Sequence, residues 1–391
     1  MTTSPERTSG SRAWWLELGG VLPRSAAALA RAGRPTPGQE RPGLVPTPRT
    51  FASVALDEFA LAVAFLAARR RSEANPVAMG AEPTLACLRS AGVLDDPMLA
   101  YPAPSGPADV RLTRRSRPGL SFEHLSFPSA FRPVDGLPGA SEWLAVASNA
   151  SVHAYLLRAD LRRRPWVVVL HGHRMGEPWD VRILGSQRLH RELGANVVHV
   201  VLPRHGPRGR GSPVRFPGVD PVVNLLGMTQ AVWDSRAVIA WARGQGATQV
   251  GVYGISLGAQ LAGLLASVEP DLACVIAGVP TADFASMLEA TILTHWGESA
   301  VADSHVRNDT DRLLSRLVSP LAFSPMVPRD RRYIYAAIGD RIVTPEQAVA
   351  LWTHWERPEI LWLQGSHIAN SVSRSRRFVL RSLAASGVCA D

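Results

Sequence analysis

Strands alternate with helices along the chain after Gly119. Continuous apolar runs such as Trp166–Leu170 are typical of strands covered on both faces. Segments with helical periodicity follow such runs, for example Leu257–Val268. This order predicts an α/β fold with a mostly parallel sheet and helices on both faces. Two further strands, at residues 142–147 and 151–159, are predicted to pair antiparallel.

Two regions depart from this alternation. Residues from about 281 to 331 contain two helical segments and a proline-rich tail, which predicts a helical lid inserted into the sheet domain. The first 50 or so residues are rich in Pro, Arg, Gly and Ser and are predicted to be an extended arm. Helices are predicted at 51–71 and 82–90. We therefore predict an N-terminal arm and helical region, residues 1–118, that packs on a sheet domain at 119–391.

The composition narrows the possible chemistry. The chain has 391 residues, 46% of them hydrophobic, which is enough for a sizeable buried core. All 42 basic residues are arginine, so Schiff-base, Ser-Lys and GK[ST] phosphate-loop chemistries are excluded. The net charge is +9, but the arginine clusters are dispersed and not interleaved with aromatic residues. The sequence therefore does not predict nucleic acid as a partner.

Cysteine usage and the N-terminal sequence indicate where in the cell the protein is located. Three cysteines lie far apart without metal-ligand spacing, and no signal-peptide pattern is visible at the start. These features predict a cytoplasmic protein. The longest apolar stretch, residues 59–68, is too short to span a bilayer, and Asp57 and Glu58 block its extension. A weak contact of this helix with an anionic membrane surface stays open.

A candidate nucleophile lies where a predicted strand meets a predicted helix. The sequence Gly254-Ile255-Ser256-Leu257-Gly258 matches the G-x-S-x-G pattern, in which the serine occupies a strained turn and flanking glycines avoid contact with neighbouring backbone. This context predicts that Ser256 is a nucleophile. The alternative interpretation is a tight turn with an incidental serine.

A serine hydroxyl needs a histidine to take its proton, and the histidine needs a carboxylate to orient it. Asp340 follows the predicted strand at 333–338, and His367 follows the predicted strand at 360–363. Ser256, Asp340 and His367 thus come at the C-terminal ends of three strands, where open α/β sheets bind ligands. We predict that they form a catalytic triad.

Each partner has an alternative interpretation. Asp340 is also suited to capping the turn before Pro345. His367 is also compatible with a surface loop. Asp283 and Asp330 are the fallback candidates for the acid.

An oxyanion hole would complete this site. The N–H of Leu257, which follows the nucleophile, is one expected donor, and the N–H of His173, after the strand Trp166–Leu170, is the other. The pair His171-x-His173 also matches the start of a metal-dependent amidohydrolase site. Such sites need a carboxylated lysine or further histidine ligands. The first is excluded, and the other histidines are not at convincing ligand positions, so we predict no metal.

These motifs resemble the α/β-hydrolase superfamily over residues 119 to about 389. The resemblance is carried by the His171-Gly172 turn, the elbow at Ser256 and the segments Gly339–Val343 and Gly365–His367. It implies a serine esterase that forms an acyl-enzyme without a cofactor and acts on a small-molecule ester, less often a thioester, amide or lactone. One departure is that Gly339 directly precedes Asp340, where many relatives carry two intervening residues. Residues 1–118 match no pattern of this superfamily.

Three questions of specificity remain open in the sequence. An acyltransferase using the same triad and a non-catalytic hydrolase-like binding protein are the alternative functions. The arginines at 204, 208 and 210 fit either recognition of an anionic substrate or a solvated loop. Apolar residues of the lid fit either an acyl pocket or packing of the lid on the body: Phe284, Met287, Leu288, Ile292 and Trp296.

Overall fold

The computed structural model describes residues 17–33, 40–72, 80–158, 163–212, 214–303, 308–370 and 372–390. A nine-stranded sheet with strand order β1-β2-β3-β5-β4-β6-β7-β8-β9 forms its centre. The strands are β1 Arg111–Arg117, β2 Leu120–Pro128, β3 Ser151–Leu157, β4 Trp166–Leu170, β5 Asn196–Val201, β6 Val250–Ile255, β7 Cys274–Gly278, β8 Arg332–Ala337 and β9 Glu359–Leu363.

The sheet is mostly parallel, as predicted. Strands β1, β2, β3 and β5 pair antiparallel in that order, and every pairing from β5 onward to β9 is parallel. The C-terminal ends of β4, β6, β7, β8 and β9 therefore meet at one edge of the sheet. This arrangement brings loops that are distant in sequence to a common site.

Helices cover both faces of the sheet, which confirms the second part of the prediction. The helices among the described residues are α1 Val21–Ala32, α2 Pro48–Ser72, α3 Ala81–Ser90, α4 Ala140–Leu144, α5 Asp180–Ile183, α6 Ser186–Leu193, α7 Pro221–Gly244, α8 Leu257–Val268, α9 Phe284–Asp303, α10 Asp309–Arg316, α11 Pro345–His354 and α12 Val372–Ala385. Helices α7, α8 and α11 pack on one face, and α6 and α12 pack on the other.

The two faces are built from alternate residues of the buried strands. In β4, Val168 faces the core that contains α8, and Val167 and Val169 face the core that contains α12. All three side chains are fully buried. The continuous apolar run thus follows from burial on both faces.

The predicted strand at 142–147 is wrong. Gly139 adopts a φ of 76° and precedes α4, a short helix whose Trp143 side chain is buried and donates a hydrogen bond to Gln230. The predicted strand at 151–159 is present as β3, but its antiparallel partners are β2 and β5. Strand β2 pairs in turn with β1, which was not predicted. All seven residues of β1 are exposed, so the strand carries no alternation of apolar and polar residues.

The predicted extended arm is wrong for residues 21–32, which form α1. The predicted helices α2 and α3 are present with nearly the predicted bounds. Residues 1–16, the start of the predicted arm, lie outside the described residues. The sheet begins at Arg111, inside the part that we assigned to the N-terminal region. The division at residue 118 stays a prediction.

The predicted insertion lies between β7 and β8. Its first helix, α9, is kinked at Gly297, where the backbone has a φ of 80° and a ψ of −177°. Its second helix, α10, begins at Asp309 with the side chain of Asn308 accepting a hydrogen bond from the Thr310 N–H. Over the described ranges, we find no helix with both the length and the apolar character needed to cross a membrane.

Candidate active site

Ser256 lies on a sharp turn between β6 and α8. Its backbone adopts φ 55° and ψ −118°, a conformation that non-glycine residues rarely adopt. A Cβ atom at Gly254 would overlap the carbonyl oxygen of Gly258, and a Cβ at Gly258 would overlap that of Leu170. The two glycines of the motif are therefore required by close backbone contacts, as in a nucleophile elbow.

The structure brings Ser256, His367 and Asp340 together. The Oγ atom of Ser256 lies 3.0 Å from Nε2 of His367, and Nδ1 of His367 lies 2.7 Å from Oδ2 of Asp340. A neutral imidazole whose Nδ1–H donates to Asp340 leaves Nε2 free to accept the serine proton. This arrangement can activate the hydroxyl as a nucleophile.

Asp340 both caps its turn and contacts the histidine. Its Oδ1 atom accepts hydrogen bonds from the N–H groups of Ile342, at 3.0 Å, and Val343, at 2.7 Å, which leaves Oδ2 for His367. The two interpretations of Asp340 are thus compatible. The fallback acids lie elsewhere: Asp283 accepts a hydrogen bond from the Ser286 N–H at the start of α9, and Asp330 precedes β8, at the opposite end of that strand.

The pKa of His367 is raised above its ordinary value of 6.5. Burial alone lowers this pKa because it disfavours the imidazolium, but the negative charges and hydrogen bonding of Asp340, with a further contribution from Asp57, outweigh that effect. The exposed fraction of the His367 side chain is only 13%. A base with this environment holds a proton from a nucleophile more firmly than free imidazole does.

The two predicted oxyanion-hole donors belong to segments that adjoin Ser256. Leu257 is the first residue of α8, and the first N–H groups of a helix have no acceptor within the helix. The turn that carries His173 approaches from β4, since a Cβ at Gly172 would lie 3.5 Å from the Ser256 Cβ. The role of both N–H groups stays a prediction.

His171 stabilises this turn through both ring nitrogens. Its Nε2 atom accepts the Leu202 N–H at 3.1 Å, and its Nδ1 lies 2.8 Å from the Gly172 carbonyl oxygen. An Nε2 atom that accepts a hydrogen bond carries no proton, so the ring is neutral, and burial accordingly holds its pKa well below 6.5. Neither nitrogen is available to a metal in this conformation. Across the described ranges, no group of three or more His, Cys, Asp or Glu side chains is placed to hold a metal ion.

Two arginines after β5 are buried, so neither interpretation made for them is correct. Arg204 stacks over the Trp143 ring at 4.2 Å and donates to its carbonyl oxygen at 2.9 Å. Arg208 is fully buried and pairs with Asp234 at 2.8 Å. Both side chains hold the loop in place. Arg210 is exposed, as a solvated arginine would be.

The apolar side chains of the predicted lid are only partly buried. Ile292 is buried, and Phe284, Met287 and Leu288 are half-buried. The side chain of Trp296 lies outside the described part of the chain. Lid packing and an acyl pocket therefore both stay predictions.

One residue at this site was missed from the sequence. We interpreted Asp57 only as a charge that blocks a membrane span. In the structure its carboxylate accepts hydrogen bonds from the N–H groups of His367, at 2.8 Å, and Ile368, at 3.0 Å. The available signal was an adjacent pair of acids, Asp57 and Glu58, inside an apolar helix, since such residues are rarely buried without partners.

Comparison with known proteins gives both close relatives and distant structural neighbours. No protein-family model matches the chain. The uncharacterized protein MT2702 of Mycobacterium tuberculosis (strain CDC 1551 / Oshkosh) is 41% identical over 308 residues, which cover 76% of this chain and 72% of that protein. The uncharacterized protein Rv2627c of Mycobacterium tuberculosis (strain ATCC 25618 / H37Rv) is 42% identical over 298 residues, covering 74% and 70%.

Among solved structures, acetyl xylan esterase 1 from Thermoanaerobacterium sp. JW/SL YS485 matches with a TM-score of 0.50 and 14% identity, over 80% of this chain and 98% of that chain. An acetyl xylan esterase from Paenibacillus sp. R4 matches with a TM-score of 0.49 and 15% identity, over 79% and 96%. At these identities the likeness concerns the fold. The chain therefore belongs to the family of the two mycobacterial proteins and has the α/β-hydrolase fold.

Proposed function

We propose that the protein is a serine hydrolase that cleaves carboxylic esters through an acyl-enzyme intermediate. The observation that carries this proposal is the hydrogen-bonded series from Ser256 Oγ to His367 Nε2, at 3.0 Å, and from His367 Nδ1 to Asp340 Oδ2, at 2.7 Å. The strained backbone of Ser256 supports it, because such a conformation is retained where surrounding structure enforces it.

Acylation begins when Ser256 Oγ attacks the carbonyl carbon of the ester while its proton passes to His367 Nε2. Asp340 stabilises the resulting imidazolium. The N–H groups of Leu257 and His173 hold the oxyanion of the tetrahedral intermediate, each contributing about 3 kcal/mol. The intermediate collapses with cleavage of the bond to the alcohol oxygen, and His367 gives its proton to the departing alcohol.

Deacylation repeats these steps with water. His367 accepts a proton from the water molecule, whose oxygen attacks the acyl carbon. Collapse of the second intermediate restores the Ser256 hydroxyl with the proton from His367 and releases the carboxylic acid. No cofactor enters the cycle.

Substitution of Ser256 by alanine tests the proposal. We expect purified wild-type protein to hydrolyse a short-chain aryl ester, and Ser256→Ala to lower kcat by a factor on the order of 10⁶. A fluorophosphonate should form an adduct at Ser256 in the wild type only. Ser235→Ala is a matched control, because among the described residues its buried hydroxyl has no hydrogen-bond partner. Wild-type turnover by Ser256→Ala would refute the proposal.

Product analysis distinguishes hydrolysis from acyl transfer to another acceptor. In the presence of an added alcohol or amine, a hydrolase releases the free acid, whereas an acyltransferase releases the new ester or amide. Absence of both turnover and fluorophosphonate labelling would instead favour a non-catalytic binding protein.

A further inference from the structure

Two loops carry the histidine and the acid of the proposed triad. We call residues 338–344, between β8 and α11, the acid loop, and residues 364–370, between β9 and α12, the histidine loop. They are joined directly by a hydrogen bond from the Gly339 N–H to the Gly365 carbonyl oxygen, at 2.8 Å. The relative position of Asp340 and His367 depends on what else joins these loops.

Asp57 of α2 contacts both loops. Its Oδ2 atom accepts the N–H of Arg341, at 3.1 Å, and the N–H of His367, at 2.8 Å. Its Oδ1 atom accepts the Ser366 hydroxyl, at 2.9 Å, and the N–H of Ile368, at 3.0 Å. The Asp57 side chain is fully buried. Four donors thus converge on one carboxylate that water does not reach.

We propose that Asp57 is a positioning residue of the catalytic site, which ties the acid loop to the histidine loop and so sets the contact between Asp340 and His367. This inference rests on the proposed function, since it concerns the same triad. It gives α2, which precedes the sheet domain in sequence, a direct part in assembling the site.

Glu58, the neighbour of Asp57, reinforces the hold on the acid loop. Its fully buried carboxylate accepts hydrogen bonds from Nε of Arg341, at 2.7 Å, and from Nε of Arg24, at 2.9 Å. His295 of α9 lies 3.8 Å from the same carboxylate. Arg341 is therefore held by α2 through its backbone and through its side chain.

The chain that leads into α2 packs against the same loops. The side chain of Gln364 accepts the Val45 N–H, at 2.8 Å, and donates to the Gly43 carbonyl oxygen, at 3.1 Å. A Cβ at Gly339 would lie 3.0 Å from both Leu44 Cδ2 and Val54 Cγ2. It would lie closer still, at 2.8 Å, to the carbonyl oxygen of Gly365, so the glycine that directly precedes the acid leaves room for both the histidine loop and the N-terminal region.

The charge of Asp57 also acts on the histidine. The charged groups that face His367 are Asp340 from the acid loop and Asp57 from α2, and both raise its pKa against the opposing effect of burial. The pKa of Asp57 itself is raised by burial and by the charge of Asp340, which outweigh the opposing effects of the Ile368 and Arg341 N–H groups and of His367. Four donated hydrogen bonds match the ionised carboxylate, which only accepts.

The test is Asp57→Asn in the full-length protein. An amide offers one acceptor oxygen, and its NH₂ group would face two of the four donors, so the loops must shift. We expect kcat/KM to fall on the order of 100-fold, as for a small misplacement of catalytic groups, with most of the change in kcat. The lower-pH midpoint of the kcat/KM profile should also move to lower pH, because a charge that raises the pKa of His367 is lost.

Two variants serve as controls. Asp57→Glu keeps the charge but displaces the carboxylate by one methylene, so its rate should fall while the pH midpoint stays nearer the wild-type value. Asp220→Asn alters another aspartate that accepts backbone N–H groups, those of Val222 and Val223 at the start of α7, and should keep both rate and midpoint.

A purely structural role makes a different prediction. In that case Asp57→Asn would reduce the fraction of folded protein, yet sites titrated with a fluorophosphonate would turn over at the wild-type rate with an unmoved midpoint. That result would overturn the proposal. If Asp57→Asn does not fold, Ser366→Ala removes a single donor, and we expect a loss of about three- to tenfold. An unchanged rate in Ser366→Ala would then overturn it.

Failure of the proposed function is distinguishable from failure of this inference. Wild-type protein without turnover or labelling contradicts the function alone. The positioning role is then decided by amide hydrogen exchange and by titration of His367 in NMR spectra. Faster exchange of the Arg341, His367 and Ile368 amides and a lowered His367 pKa in Asp57→Asn support it, and unchanged values refute it.

Discussion

At the scale of single residues, Gly258 determines how closely the elbow approaches the sheet. A Cβ at this position would overlap the carbonyl oxygen of Leu170, and a backbone atom cannot move aside as a flexible side chain can. We expect Gly258→Ala to lower the free energy of unfolding by about 3 kcal/mol and to abolish fluorophosphonate labelling of Ser256. Urea denaturation and intact-protein mass spectrometry measure the two effects.

Gly244 offers a matched control for this substitution. It ends α7, and a Cβ there would meet nothing within 4 Å. Gly244→Ala should change the free energy of unfolding by no more than about 1 kcal/mol, in the stabilising direction, because alanine favours the helix. Equal behaviour of the two alanine variants would contradict the steric argument for Gly258.

A second prediction at this scale concerns the pH dependence of hydrolysis. The imidazole must be neutral to accept a proton, so kcat/KM is lost as pH falls through the pKa of His367. Burial lowers that pKa, but Asp340 and Asp57 raise it by more than burial lowers it. The midpoint of the profile should therefore lie above 6.5. Asp340→Asn should move the midpoint to lower pH and reduce kcat about 10⁴-fold. Rate measurements between pH 4 and 9 or so test both effects.

Asp283→Asn is the control for this experiment. Asp283 is one of the two fallback candidates for the acid, and it accepts the Ser286 N–H at the start of α9, a function that asparagine also serves. Its rate and midpoint should match those of the wild type. If Asp283→Asn lost as much activity as Asp340→Asn, the assignment of Asp340 as the acid would be wrong.

At the scale of elements, the loop after β5 is fixed to α7 by a buried ion pair. Arg208 and Asp234 are both fully buried, and Ser129 donates a further hydrogen bond to Asp234 at 2.6 Å. Asp234→Ala would leave the guanidinium buried without its carboxylate, at a cost of about 3–5 kcal/mol in stability. The ratio of kcat/KM for anionic and neutral esters should not change, because Arg208 contacts the protein interior.

An exposed ion pair provides the comparison. Arg188 and Glu192 lie four residues apart on α6, and about half of each side chain is exposed, with 44% and 48% of the surface accessible. Glu192→Ala should therefore cost less than about 1 kcal/mol. A changed preference for anionic esters in Asp234→Ala would restore Arg208 as a candidate for substrate recognition.

Elements were predictable where burial leaves a recognisable apolar sequence. Strand β4 and helix α8 are buried throughout, and their apolar sequences identified both. Strand β1 is exposed along its whole length, and α1 lies in a segment with the composition of an arm, so neither was identified. The predicted strand at 142–147 is wrong because α4 buries only Trp143, so five residues gave no helical periodicity.

The same limit applies to the candidate site. The residues of the elbow and the order of Ser256, Asp340 and His367 are visible because each follows a recognisable strand. The contact between Asp57 and the His367 N–H joins residues 310 positions apart, and Asp57 belongs to no local motif. Only the folded chain reveals which charge in an apolar helix meets which loop.

At the scale of the whole molecule, several arginines form ion pairs inside the fold. Arg208 pairs with Asp234, and Arg236 pairs with Glu269 at 2.8 Å with both side chains nearly buried. Arg341 pairs with Glu58 at 2.7 Å. Each of these pairs is neutral, so the net charge of +9 resides on the other side chains, and the pairs tie together segments that are distant in sequence.

The N-terminal helices share a core with the sheet domain. One buried cluster contains residues of both parts: Ala28 of α1, Leu44 between α1 and α2, Val54 of α2, and Ile338 after β8. Farther along, the hydroxyl of Tyr101 donates to the Leu317 carbonyl oxygen at 2.6 Å, in the inserted region. Apolar burial and buried hydrogen bonds of this kind couple the stability of the parts that they join.

This coupling predicts that α2 and β8 unfold in one cooperative step. Native-state hydrogen exchange should give the slowest amides of α2 and of β8 the same free energy of opening, and Leu44→Ala should lower both values equally, by about 2–5 kcal/mol. The edge strand β1, which is exposed along its length, serves as the internal comparison and should open with a lower free energy. An α2 that opens independently while β8 stays protected would show that the N-terminal helices can separate from the sheet. In that case Asp57 would lose its contacts with the histidine loop during each opening. The turnover rate would then depend on the fraction of molecules in which α2 is packed on the sheet domain.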